Sequence, residues 1–170
     1  MTNPVQALIR QFEASLQTLK NVITDCPSDY WDERGRDYPF CQVAFHTLFY
    51  IEYYLFDTVE EMQNQEFHKA NAGSFSDYEE LEGRKLQNLY SKEFILNYLN
   101  HCRVQIIKLD TDGTSGKLGK SIKINGGDMT VLEMLIYVIR HIQHHAAQLG
   151  LRVQFKTGKE MDWAGSGWTE

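Results

Sequence analysis

The chain has 170 residues, 42% of them hydrophobic and 24% charged, with a formal net charge of −6. This fits one ordinary domain over residues 1–170 with a real hydrophobic core, and it excludes nothing about fold class. The negative charge argues against nucleic acid or anionic lipid as partners, because the densest basic stretch, KLGKSIK at 117–123, sits in a glycine-rich loop.

The N-terminus, MTNPVQALIR, lacks the basic start and apolar block of a signal peptide. The most apolar stretch, VAFHTLFYIEYYLF, is too short and too interrupted to span a bilayer. Cys26, Cys41 and Cys102 are scattered and form no CxxC, so they read as reduced thiols that fill the core, and the expected location is cytoplasmic.

Four long helical patterns follow in chain order. In the first, Pro4 to about Thr24, apolar residues from Val5 to Ile23 recur at three- and four-residue steps, and Cys26-Pro27-Ser28 ends it. The second, from Phe40 to about Gln65, is apolar almost all round, as a buried helix would be. NQEFHKANAGSFSD, 64–77, reads as a polar linker. A third helical region covers roughly Asp77 to Leu109, with a break at Tyr90 because Ser91 makes a good N-cap. The long glycine-rich loop after it contains SIKI, an alternating stretch that predicts a short strand. The last helix starts at a capping box, Thr130 with Glu133, and continues to about Val153. The tail beyond it, with Trp163 and Trp168, has no clear period. The pattern predicts an all-α protein, an antiparallel four-helix bundle with a long loop before the last helix.

RHIQHHAAQLG, 140–150, holds three of the chain's six histidines. At about 100° per residue, His141 and His145 fall on one edge of the apolar face with Gln148 in the same stripe, whereas His144 turns to the wet side. An i, i+4 histidine pair offers two nitrogens to one metal ion. A third ligand must come from another helix, and His46 is the candidate: Tyr50, Tyr53 and Asp57 fall within about 40° of it, a polar stripe on an apolar helix. The other histidines, His68, His101 and His144, read as surface or supporting groups.

RHIQHHAAQLG and QVAFHTLFYIEYYL resemble the DinB-like superfamily of small bacterial metal-binding four-helix bundles, and YSKEFILNYLNHCR is similar to that family's third helix. The resemblance implies His46, His141 and His145 as ligands of zinc or nickel, and it places Gln148 at the family's trailing glutamine as a cofactor-binding residue. Where the family often carries arginine and glycine, this chain has Ala146 and Ala147. The family commonly dimerises, so a homodimer is expected. Its members include enzymes that use a low-molecular-weight thiol: bacillithiol, mycothiol or glutathione.

Three imidazoles leave a position open on the ion, as catalytic sites do. Tyr50, Tyr53 and Asp57 are then the residues that orient a small-molecule substrate or move a proton. Three readings stay open: a metal-dependent thiol S-transferase in detoxification, a metal-dependent hydrolase with the same ligands, and a non-catalytic, stress-related metal-binding bundle.

Overall fold

The computed structural model describes residues 3–33, 38–75, 89–124 and 127–169. It is mostly helical. Helix α1, Pro4–Asp25, starts where the Asn3 side chain accepts the Val5 N–H at 3.0 Å, with Pro4 in the first turn where a missing donor costs nothing. Val5, Phe12, Leu16, Leu19 and Ile23 form its buried face, and extended Cys26 ends it as the sequence predicts.

Helix α2, Phe40–Leu55, is shorter than the expected run to Gln65. Phe56 is extended, and Thr58 caps a separate helix, α3 (Val59–Gln63), by accepting the Glu61 N–H at 3.1 Å. Glu60 and Glu61 then lie in that first turn, where the helix dipole favours anions. Capping chemistry overrides an apolar pattern that runs on without a break. The supposed polar linker is also more structured than expected. Its described part forms α4, Glu66–Ala70, and a 3₁₀ turn, Ala72–Phe75, and it buries His68 and Phe75. The cause is aromatic: Phe75 packs 5.7 Å from Phe45, and Phe67 stacks 5.4 Å from Tyr98.

Helix α5, Lys92–Lys108, begins as predicted at Ser91, whose hydroxyl oxygen accepts the Phe94 N–H at 3.1 Å. The part of that prediction over 77–88 lies outside the described residues. The long loop contains a single helical turn, α6 (Thr114–Lys117), and an antiparallel hairpin of β1 (Ser121–Ile124) with β2 (Gly127–Thr130), so the SIKI strand is present. Helix α7, Val131–Thr157, opens on the predicted capping box: Thr130 and Glu133 exchange bonds at 2.7 and 3.2 Å. It runs past Val153 and stops at Gly158, whose φ of 75° is the left-handed conformation that glycine adopts freely.

Helices α1 and α2 each pack on both α5 and α7, which puts α2 between α5 and α7. This arrangement decides where the histidines go. Among the described residues, no helix is long and apolar enough to cross a membrane.

The tail lies along α1, away from α2. Ala164 N–H donates to Thr18 Oγ1 at 3.1 Å, and Trp168 sits under Lys20 and Arg103, each cation 4.6 Å from its ring. Met161 rests on Gly150, where a Cβ would meet its Sδ at 2.6 Å. Gly150→Val is therefore expected to lift the tail, with a loss of about 1–3 kcal/mol in urea unfolding and a red shift of tryptophan emission.

Candidate metal centre

His46 comes from the α7-facing side of α2, and His141 and His145 lie one turn apart on α7. The structure brings all three together. Ring centroids are 4.6 Å apart for His141 and His145, 4.9 Å for His46 and His145, and 5.3 Å for His46 and His141. Their donor atoms all lie within 4.8 Å of one another, close enough for one ion to touch all three.

Two details fit a metal better than a hydrogen-bonded cluster. His46 Nε2 and His141 Nε2 face each other at 3.4 Å. That is long for a hydrogen bond, but it matches the edge of a tetrahedron with zinc–nitrogen bonds of about 2.0–2.1 Å. Gln148 Oε1 lies 2.8 Å from His145 Nδ1. A carbonyl oxygen accepts, so Nδ1 carries the proton and Nε2 keeps its lone pair for an ion. Gln148, the residue expected to bind a cofactor, thus touches His145 and sets its tautomer. The Nδ1 atoms of His46 and His141 are buried and bond to no described residue.

Burial, reinforced by His145, pushes the His46 imidazole down to about 4. Burial, reinforced by His145, His46 and His144, pushes His141 down to about 3. Burial also lowers His145, against the hydrogen bond that it donates to Gln148. All three are neutral near pH 7 and offer lone pairs. The consequence for stability has a definite sign. Below their ordinary value of 6.5, the unfolded chain takes up protons that the folded chain refuses, until about pH 4 for His46 and about 3 for His141. Stability is full above pH 6.5 and falls on acidification through that window, by up to about 1.4 kcal/mol per pH unit for each histidine. Metal-free protein should melt several degrees lower at pH 5 than at pH 7.5; equal midpoints would contradict this.

The tyrosines fall at increasing distance. The Tyr50 ring is 4.8 Å from His46 and 5.8 Å from His141, centroid to centroid. Tyr53 is one ring further out, 5.6 Å from Tyr50, and 43% exposed. Asp57 does not share the His46 stripe: α2 has ended before it, so its helical alignment is lost. Tyr53 and Asp57 instead line a cavity of about 650 Å³ between the end of α2, α5, the hairpin and the start of α7. None of the three histidines lines that cavity.

His144 is exposed, as expected. His68 and His101, which the sequence suggested as surface or supporting groups, are not on the surface. His68 is 3% exposed, and its Nε2 lies 2.7 Å from Glu52 Oε2; His101 Nε2 lies 2.8 Å from Glu52 Oε1. Burial alone would raise the Glu52 carboxyl, but the bonds from His101 and His68 bring it below the usual range, so it is ionised. The signal that could have found this cluster is Glu52 itself, the only Asp, Glu, Lys or Arg in the sixteen residues of α2.

All three cysteines are buried, and burial pushes the Cys26 thiol up to about 11 and raises Cys41 and Cys102 as well. They stay protonated and unreactive. Comparison of the chain with family models, curated proteins and solved structures finds no match.

Proposed function

We propose that the chain is an antiparallel four-helix bundle of the DinB-like kind, a cytoplasmic protein whose His46, His141 and His145 hold one zinc or nickel ion for thiol-dependent transfer chemistry. The observation that carries this reading is the meeting of two Nε2 atoms at 3.4 Å, beside a third histidine whose tautomer Gln148 fixes. A ligand set of three neutral imidazoles leaves the ion a vacancy and its full positive charge. Bound there, the ion would lower the pKa of a thiol or water in the vacant position. The chain's own residues do the rest. Tyr50 walls the site on the α2 side, and Tyr53 leads from it towards the cavity. The buried cysteines offer no thiolate, so the thiol must come from a small molecule.

One observation favours a second, non-catalytic reading: no ligand histidine lines the 650 Å³ cavity, so that cavity would give a substrate no access to the ion. A single assay separates the readings. Metal-loaded protein is mixed with a small thiol and a chromogenic electrophile. Thiol-stimulated turnover is expected, with a loss of at least about 100-fold in His145→Ala, since even an outer partner of a metal ligand contributes 10–100-fold. Turnover of an ester without thiol would turn the reading to hydrolysis. No turnover, with a metal-dependent rise in melting temperature, would make the ion structural.

A further inference from the structure

Glu52, His68 and His101 lie on α2, α4 and α5, three separate elements. On α2, Glu52 is six residues from His46, about 120° round the helix and about 9 Å along it, so this cluster is on the α5 side and the first site is on the α7 side. Its carboxylate has no solvent exposure, and among the described residues its two charge-assisted bonds come from the histidines alone. A compensating cation stabilises a buried carboxylate, and no lysine or arginine is paired with it in the described structure. Both Nε2 atoms point at the one carboxylate, and the three donor groups lie within 4.8 Å of one another.

Two histidines and one carboxylate are a ligand set for zinc and for ferrous iron. We infer that Glu52, His68 and His101 form a second divalent transition-metal site, separate from the three-histidine centre. The two histidine nitrogens lie 2.7 and 2.8 Å from different oxygens of Glu52, and around an ion with bonds near 2.0–2.1 Å these distances would open by a few tenths of an ångström, to about 3.0–3.3 Å. The surroundings are built for it. Phe67 stacks on His101 at 4.6 Å, and Phe75 lies on His68 at 4.0 Å, which excludes water from two sides. Gln105, 3.4 Å from His101 Nε2, also lines the 650 Å³ cavity and marks the path of entry. The site also accounts for a buried histidine in a polar stretch. A five-residue helix such as α4 is too short to persist alone, and an ion that joins it to α2 and α5 would fasten it.

Metal-free full-length protein is titrated with Co²⁺ and read by equilibrium dialysis and by the visible d–d bands. Wild type is expected to bind two ions per chain. The variant with His141→Ala and His145→Ala should keep one, and His101→Ala or Glu52→Gln added to it should abolish that one while far-UV dichroism stays helical. If the double variant fails to fold, wild type is compared with His101→Ala alone, two ions against one. One ion per chain in wild type, lost in His46→Ala and kept in His101→Ala, overturns this site and leaves the first intact. One ion lost in His101→Ala and kept in His46→Ala upholds it and removes the first. In the His141→Ala, His145→Ala background, an ion that survives both Glu52→Gln and His101→Ala also overturns it.

Discussion

His46→Ala should lower the affinity for zinc by on the order of 1000-fold, measured in competition with a chromophoric chelator, while far-UV dichroism stays unchanged. The size follows from the ligand count. Losing an outer partner of a ligand costs about 10–100-fold, and losing a ligand costs more. The direction follows from geometry: His141 and His145 come from one helix, and His46 alone ties the ion to α2. Without it, an i, i+4 pair remains, which binds zinc weakly because two of four positions then fall to water. His144→Ala is the control. His144 is exposed and its ring lies 5.1 Å from His145, but it belongs to neither group of converging donor atoms, so its removal should leave the affinity within about twofold. An unchanged affinity in His46→Ala would remove α2 from the site.

The helices that were legible in the sequence are those whose ends carry their own chemistry. Pro4 opens α1, and Ser91 and Thr130 with Glu133 cap α5 and α7, where the residues predict. The end of α2 was not legible. Its apolar run continues through Val59 and Met62, and only the Thr58 hydroxyl bonded to Glu61 shows that the chain has turned. The polar letters of 64–75 hid a second error: Phe67, His68 and Phe75 contribute contacts that depend on α5 being beside them, and periodicity within the segment carries no trace of a partner outside it.

The two histidine clusters differ in the same way. Spacing on one helix reveals His141 and His145, and one further polar position on α2 completes the set. Glu52, His68 and His101 come from three elements, one of which did not look like an element at all. No spacing rule joins them. A lone charge on an apolar helix is the only local sign, because a buried carboxylate implies partners without saying where they are.

That buried charge sets the largest stability effect expected outside the aromatic core. Glu52→Ala removes the acceptor for both His68 and His101 and leaves a gap between three elements. Two buried donors left without their acceptor cost about 1–3 kcal/mol each and the gap adds to that, so a loss of about 3–5 kcal/mol is expected. For a chain of this size each kilocalorie lowers the melting temperature by about 2–4 °C, so a fall of about 10 °C is expected by calorimetry. Glu52→Gln separates charge from shape. Its amide oxygen can accept from His101 while its NH₂ donates to His68 Nε2, provided the His68 proton moves to Nδ1. His68 Nδ1 has no partner among the described residues, so no existing bond opposes that move. Most of the stability should therefore return in Glu52→Gln even though the charge is gone. If the glutamine variant is as unstable as the alanine one, the anion itself, rather than the hydrogen bonds it accepts, is what holds α2, α4 and α5 together.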